Sequence, residues 1–350
     1  MLLAIDLAVV IEKLVLIVIV VMGSLVIAMY MTWGERKVAG LLQDRPGPNR
    51  AGPFGLLQPL ADGLKLFFKE EIIPELSSKA LFVMGPALAM LTAIMTSAVI
   101  PWGDKIHVFN RDISLQIADI NIGILYVFGV VSMGVYGIMI GSWASNNKYS
   151  LMGGLRAASQ IISYELAMGI ALIALLMFTG TLSLKEMVIK QQAGHWNILY
   201  QPLGFLIFLI CSFAECNRTP FALAEAESEL IGGYHTEYSS MKLGFYLFAE
   251  YINMFISSAV MATLYFGGYD VPFFNEAAHA ASWGNWLALF TLVVFMIKIF
   301  AFVFLFMWVR WTVPRFRYDQ LMHLGWRVLI PLALFNMLAT GGGILYFGHH

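Results

Sequence analysis

Long apolar runs separated by short polar connections dominate this chain. A helix needs about 20 apolar residues to cross about 30 Å of hydrocarbon. Runs of that kind fall at 9–32, 79–100, 119–141, 159–181, 198–216, 243–267, 286–309 and 326–347. The pattern therefore predicts an all-α integral membrane protein with about eight transmembrane helices. Pro202 and Gly204 interrupt the fifth run, which indicates either a broken helix lining a polar cavity or a tilted ordinary helix.

The segment 40–71 breaks this pattern. Glycines and prolines between Pro46 and Pro53 predict a stiff loop that ends the first span. Apolar residues at helical spacing follow from Leu56 to Phe68, with polar residues between them, and the segment is too short and too polar to span. We expect an amphipathic helix on the cytoplasmic membrane surface. Periodicity alone is equally typical of a simple membrane anchor.

The composition agrees with a membrane protein. Of 350 residues, 59% are hydrophobic and 12% are charged, against about 25% charged in soluble domains. The net charge of −1 gives no indication of nucleic-acid binding. Cys211 and Cys216 lie on different faces of a helix, which indicates buried thiols rather than a disulfide or metal site. We expect one polytopic domain over 1–350, with span 1 at 9–32, the loop and surface helix at 40–71, spans 2–6 within 79–267 and spans 7–8 within 286–347.

Basic residues predict the orientation. Cytoplasmic loops of membrane proteins are enriched in Lys and Arg. The connections after spans 1, 3, 5 and 7 hold fifteen such residues, namely Arg36, Lys37, Arg45, Arg50, Lys65, Lys69, Lys79, Lys148, Arg156, Arg218, Lys242, Arg310, Arg315, Arg317 and Arg327. The opposite connections hold Lys105, Arg111, Lys185 and Lys190. Both termini are therefore expected on the periplasmic side, and the first run, too long for a signal-peptide core, is expected to remain as an anchor.

Several ionisable residues lie in or beside the apolar runs. Glu165, Glu215 and Glu250 fall in spans 4, 5 and 6, where a charge is costly and usually faces a cavity, a partner or a proton path. We expect them to carry protons, the alternative being a neutral acid hydrogen-bonded to a neighbouring helix. Lys298 lies deep in span 7, where an internal carboxylate or a water-filled path is expected to receive it, although its long stem also permits snorkelling.

The cytoplasmic connection 214–240 is unusually acidic. Glu225 and Glu229, four residues apart, would repel each other on a helix, so some of its acids should titrate together. Apolar residues such as Phe221 and Tyr234 argue for packing rather than a freely solvated loop. The sequence contains neither a phosphate-binding or dinucleotide-binding glycine motif nor a facing pair of buried histidines. Any electrons must therefore come from another subunit.

Several motifs together resemble one family. They are "GERK" (34–37), "RPGPNRAGPFGLLQPLADGLKLFFKE" (45–70), "GSWASNNKYSLMGGLRAASQIISYE" (141–165), "AECNRTPF" (214–221), "EAESELIGGYHTEY" (225–238), "LFAEY" (247–251) and "PRFRYDQLM" (314–322). In this order they resemble the H subunit family of bacterial respiratory complex I, the proton-translocating NADH:quinone oxidoreductase, equivalent to mitochondrially encoded subunit 1.

The resemblance implies a membrane subunit at the junction of the two arms of that enzyme. Quinone would enter through a tunnel bounded by span 1, the surface helix and span 6, while FMN and iron–sulfur clusters belong to partner subunits and this chain binds no cofactor. The implied partners are the peripheral-arm quinone-site and iron–sulfur subunits and the antiporter-like membrane subunits, in the bacterial inner membrane.

The resemblance also implies roles for individual residues. The quinone tunnel region would include Arg36, Arg45, Asp62, Arg156, Arg218 and Phe221. The proton path would include Glu165, Glu215, Glu225, Glu227, Glu229 and Glu250. One departure is Ala222, where the family has an aspartate, so this chain lacks one carboxylate of the acidic cluster and we expect an effect on activity or coupling.

Two other functions remain open at this point. A stand-alone ion-coupled transporter would explain the buried Glu and Lys residues and the broken fifth span, but not the surface helix. A membrane anchor of a related energy-converting hydrogenase would share the same ancestry. The copurifying subunits would distinguish these alternatives.

Overall fold

The computed structural model describes residues 7–108, 111–272 and 284–347. Within them, seven helical segments are long and apolar enough to cross a membrane, and one shorter apolar helix accompanies them. The prediction of an all-α integral membrane protein is confirmed. The fifth predicted span is the short one, because its helix begins only at Pro202 and has 14 residues.

The helices follow one another along the chain with few long connections. They are α1 (Leu7–Leu42), α2 (Gln58–Phe68), α3 (Lys79–Thr96), α4 (Gly123–Ala144), α5 (Lys148–Thr179), α6 (Leu184–Ala193), α7 (Asn197–Tyr200), α8 (Pro202–Glu215), α9 (Glu227–Leu230), α10 (Ser240–Tyr265), α11 (Asn285–Thr312), α12 (Tyr318–His323) and α13 (Ile330–Phe347). A π-helical turn, Leu324–Leu329, joins α12 to α13. A small antiparallel hairpin, β1 (Lys105–Val108) and β2 (Arg111–Ser114), lies between α3 and α4.

Small residues allow α3 and α4 to approach closely. A Cβ atom added to Gly85 would lie 2.7 Å from the Cα atom of Gly141, and one added to Gly137 would lie 2.8 Å from the backbone nitrogen of Ala89. Small residues at helix contacts are typical of membrane bundles, where packing rather than water exclusion holds helices together. The two helices therefore form one rigid wall of the bundle.

The short α8 is completed on its N-terminal side by polar contacts. Gln201 donates to Thr340 Oγ1 at 2.7 Å and accepts from Asn336 at 3.0 Å, which ties the start of α8 to α13. Gln191 of α6 donates to the carbonyl oxygen of Thr263 at 2.9 Å. These hydrogen bonds satisfy buried polar groups beside the short helix. They place the segment α6–α7 over the end of α10.

The surface helix α2 contacts both α1 and α10. Pro59 is buried and Asp62 is half-buried on the side facing those helices, whereas Leu60, Leu64 and Phe67 are exposed. The exposed apolar residues recur at helical spacing, so they form a stripe suited to the membrane surface. This placement agrees with the amphipathic surface helix expected from the sequence.

Candidate functional site

Glu35, near the C-terminal end of α1, lies at the centre of a buried ion-pair group. Its side chain accepts hydrogen bonds from Arg218 at 3.0 Å and from Tyr251 at 2.8 Å, and it pairs with Arg310 at 2.5 Å. Glu35 is 5% exposed and Arg218 is 4% exposed. Charges taken this far from water need partners on several sides. Glu35 therefore joins α1, the loop after α8, α10 and α11.

Arg218 links this group to a second set of carboxylates. Its guanidinium lies over the ring of Tyr251, 4.2 Å from the centroid, and a second nitrogen lies 3.9 Å from Glu250. Burial opposes the charged form of Arg218, but the surrounding Tyr251, Glu35 and Glu250 outweigh it and raise the pKa of Arg218 above its usual range. The guanidinium thus remains a fixed positive charge beside Glu250.

Tyr234 connects two acids from different elements. Its hydroxyl oxygen lies 2.9 Å from Oε1 of Glu250 in α10 and 3.1 Å from Oε1 of Glu225 in the preceding loop. Glu225 and Glu250 also hydrogen-bond to each other. Two ionised carboxylates cannot form such a bond, so the pair holds a proton between them. His235 Nδ1 lies 3.8 Å from Glu225.

The environment keeps Glu225 ionised and Tyr234 protonated. Burial disfavours the charged form of Glu225, but the hydrogen bond from Glu250, the charges of His235 and Arg218 and the hydrogen bond from Tyr234 hold its pKa below the usual range. Burial, followed by the charges of Glu250 and Glu225, raises the pKa of Tyr234 well above its ordinary value. Tyr234 can therefore pass a proton on without storing a charge itself.

Glu215 lies beyond this cluster, on the walls of two adjoining cavities. The first has an open volume of about 530 Å³ and is also lined by Tyr234, Glu250 and Asn253. The second, about 460 Å³, shares Glu215 and Asn253 with it. Among the described residues, Oε2 of Glu215 has no hydrogen-bond partner, although it is buried. A carboxyl oxygen in this position is available to a water molecule or a proton.

Glu165 of α5 completes the row of carboxylates. It hydrogen-bonds to Ser132 of α4, and its charge interacts with that of Glu215. Helix α5 packs directly on α8. The structure thus brings together Glu225, Glu250, Glu215 and Glu165 in a row from the loop into the bundle. Glu229 is half-exposed and pairs with Arg156 at 2.5 Å, at the edge of this row. The side chain of Glu227 lies outside the described residues.

The residues assigned to the tunnel region separate into two groups. Arg36 of α1 pairs with Asp62 of α2 at 2.7 Å, and Arg45 bonds to Gln43 at 2.7 Å, near the surface helix. Arg218 belongs instead to the buried cluster. Phe221 is buried in an edge-on aromatic contact with Tyr164. Ala222, beside it, is also buried.

Lys298, in the middle of α11, is held by the end of α10. Its ammonium donates to the carbonyl oxygens of Phe266, Gly268 and Asp270 at 2.7, 2.9 and 2.5 Å. It also lies 4.6 Å from the ring centroid of Trp196. Three carbonyl groups that would otherwise lack helical partners therefore surround one buried cation.

Sequence reasoning missed the connecting residues. Tyr234, Tyr251 and Ser132 resemble ordinary core or helix residues in the sequence, and only their contacts show what they join. Arg310 counted solely toward the orientation. An available signal was the adjacency of Tyr251 to Glu250, since a tyrosine beside a buried acid often supplies a hydrogen bond.

Comparison with known proteins agrees with this arrangement. The family model described as NADH dehydrogenase matches residues 14–341. A relative from Flavobacterium psychrophilum, the H subunit of NADH-quinone oxidoreductase, is 66% identical over 347 residues, covering 98% of this chain and 99% of the relative. The chain belongs to the family of NADH-quinone oxidoreductase H subunits.

Other members of the H subunit family match over similar lengths. The first of the numbered H subunits of Cytophaga hutchinsonii is 64% identical over 336 residues, covering 96% of this chain and 97% of the relative. Its counterpart from Geobacter metallireducens is 48% identical over 338 residues, covering 97% of each. The family resemblance found in the sequence is confirmed. As an H subunit family member, the chain is a membrane component of a multi-subunit oxidoreductase.

Proposed function

We propose that this chain guides quinone to its site of reduction in a proton-translocating NADH:quinone oxidoreductase and carries the coupled protons through a row of carboxylates. The observation that carries the proposal is the bridge from Glu225 through Tyr234 to Glu250. From Glu250, the shared cavity leads to Glu215. Ionisable groups placed so deeply in a bundle are typical of proton relays.

Proton transfer follows from the hydrogen bonds at Tyr234. A proton arriving at Glu225 can pass to the hydroxyl oxygen of Tyr234, while that hydroxyl gives its own proton to Glu250. Each atom ends with the same number of bonds, so the relay needs only reorientation of the hydroxyl afterwards. Water in the shared cavity would then connect Glu250 to Glu215, and the interaction of Glu215 with Glu165 extends the path to α5.

The quinone-facing part of the proposal involves the surface helix. Helix α2 lies against α1 and α10 and presents an apolar stripe outward. A lipid-soluble quinone approaching from the bilayer would meet this stripe before the Arg36–Asp62 pair. Arg36, Arg45 and Asp62 would line the entrance, and Arg156, Arg218 and Phe221 would lie near its inner end.

The remaining assignments follow from family membership. We place FMN and the iron–sulfur clusters in partner subunits of the peripheral arm, with quinone as the only redox molecule met by this chain. The antiporter-like membrane subunits would continue the proton path. The complex would lie in the bacterial inner membrane, with both termini of this chain on the periplasmic side.

Replacing Glu215 by glutamine tests the proton path. The amide keeps the size of the side chain but cannot take up a proton, so quinone-dependent NADH oxidation and coupled proton movement should fall together in an assembled complex. Glu186→Gln is the matched control, since Glu186 is exposed on α6 and accepts from Thr181 at 2.6 Å. Undiminished rates in the assembled Glu215→Gln complex would contradict the role.

A further inference from the structure

A groove on the membrane-facing side of α4 and α5 lies outside the carboxylate row. It has an open volume of about 710 Å³, and its lining includes Tyr136, Trp143, Leu151 and Leu155. All four of these side chains are exposed. The groove is therefore an apolar surface feature that an elongated hydrophobic group could occupy.

Close contact between the two helices forms the floor of this groove. A Cβ atom added to Gly154 of α5 would lie 1.9 Å from Oγ of Ser142 in α4, and both residues line the groove. No side chain can enter between the helices at this point. The groove is thus a depression of fixed shape and not an opening into the core.

A polar cavity continues the groove at the cytoplasmic end of α4. This cavity has an open volume of about 1410 Å³ and shares Trp143 and Leu151 with the groove. Charges of both signs line it, with Lys148 on one side and Glu75 and Glu237 on the other. Asn147 donates to Glu237 at 2.5 Å and so positions that carboxylate. The exposed Trp143 ring is typical of the level where hydrocarbon meets head groups.

We propose that this groove and its polar mouth bind a zwitterionic phospholipid with a primary-amine head group, of the phosphatidylethanolamine class. An acyl chain lies along Tyr136, Leu151 and Leu155. The phosphate pairs with Lys148, and the ammonium donates to the carboxylates of Glu75 and Glu237. A choline head group cannot donate such hydrogen bonds, and an anionic glycerol head group would meet two carboxylates without compensation.

Photoactivatable lipids test the choice of head group. The intact complex is reconstituted in vesicles containing a trace of photoactivatable phosphatidylethanolamine, phosphatidylcholine or phosphatidylglycerol, and labelling of the peptides spanning 136–155 is measured. We expect the ethanolamine lipid to label most strongly. Lys148→Gln should lower that labelling about tenfold, which corresponds to about 1.4 kcal/mol. Equal labelling by the three lipids would overturn the proposal.

Matched variants separate a built site from general surface charge. Lys69→Gln removes an exposed lysine near the end of α2, away from the groove, and should leave the labelling unchanged. Glu75→Gln, at an exposed position, should reduce the preference for ethanolamine over choline while preserving assembly. If Lys148→Gln and Lys69→Gln have the same effect, the site is not the one proposed.

A second measurement identifies the occupant in native membranes. A photoreactive amino acid at Leu151 should give an adduct with the mass of phosphatidylethanolamine. An adduct with another subunit of the complex would show that a protein covers the groove, and it would overturn the proposal. Neither result depends on the roles of the carboxylate row, so a failure here leaves the proposed function standing.

Discussion

At the scale of single residues, the hydroxyl of Tyr234 is the narrowest point of the proposed path. It is the group that touches both Glu225 and Glu250 from between them. Replacing Tyr234 by phenylalanine removes this oxygen and leaves the ring. Quinone-dependent NADH oxidation with coupled proton movement should then fall by on the order of tenfold or more, as expected for loss of a proton-transfer group.

Tyr238→Phe is the matched control for that variant. Tyr238 is buried like Tyr234, but its hydroxyl donates to the carbonyl oxygens of Phe82 and Gly141 at 3.0 and 3.2 Å. Its loss should affect stability without a specific loss of coupling. Equal reductions in both variants, at equal amounts of assembled complex, would show that Tyr234 has only a structural role.

Glu225 gives a pH dependence at the same scale. Its folded-state pKa lies below its ordinary value because Glu250, His235, Arg218 and Tyr234 together outweigh burial. Ionised Glu225 therefore adds stability above the unfolded pKa of about 4.3, and this stability is lost as the pH falls through the folded pKa. The difference in thermal midpoint between the unmodified chain and Glu225→Gln should shrink as the pH is lowered from 7 toward 4. Glu70→Gln, at an exposed site, supplies the baseline; a constant difference would contradict the shift.

The sequence predicted the acids better than their partners. Glu165, Glu215 and Glu250 stand out because an acid inside an apolar run is costly, and this cost is visible without coordinates. Their connections depend on which helices are neighbours. Ser132 meets Glu165 only because α4 packs on α5, and sequence spacing carries no record of that contact.

At the scale of elements, the Arg36–Asp62 pair holds the surface helix against α1. The two side chains are 51% and 33% exposed, so their coupling should be about 0.2–1 kcal/mol. A double-mutant cycle with Arg36→Gln and Asp62→Asn should give a value in this range. If α2 bounds the quinone entrance, either single variant should raise the KM for quinone more than it lowers kcat.

A more exposed pair serves as the comparison. Arg317 and Asp319 lie 3.9 Å apart with side chains 80% and 77% exposed, so Arg317→Gln should leave the quinone KM unchanged. Equal changes in KM for Arg36→Gln and Arg317→Gln would indicate a general charge effect. That outcome would remove the support for α2 as a tunnel wall.

Helix existence was easier to predict than helix ends. The apolar run at 159–181 marks only the part of α5 that suits hydrocarbon, whereas the helix begins at Lys148 because Asn147 caps it, accepting from the backbone nitrogen of Tyr149 at 2.9 Å. Likewise, Pro202 predicted an interruption in the fifth run. The polar contacts of Gln191 and Gln201 that accommodate the short α8 could not be read from periodicity.

At the scale of the whole molecule, Glu35 connects parts of the chain that are far apart in sequence. Arg218, Tyr251 and Arg310 all converge on it. Glu35→Ala leaves buried arginine charge without its partner, which typically costs about 3–5 kcal/mol. We expect a large loss of assembled complex or of its thermal stability, with Glu35→Gln less affected because it keeps a hydrogen-bonding oxygen for Tyr251.

Glu71→Ala provides the contrasting case. Glu71 is half-exposed and pairs with Lys242, so its removal should cost less than about 1 kcal/mol. Amounts of assembled complex and thermal midpoints would be compared for the three variants. Similar effects of Glu35→Ala and Glu71→Ala would show that Glu35 does not connect the bundle.

The contacts of Lys298 have a consequence for the order in which the protein is made. A lysine at the centre of a helix adds about 2.5–3.5 kcal/mol to the cost of membrane insertion. The carbonyl groups that receive it follow α10, which precedes α11 in the chain. During synthesis, the acceptors are therefore already in the bilayer when the lysine leaves the ribosome, and a rearranged chain that made α11 first would insert it without that compensation.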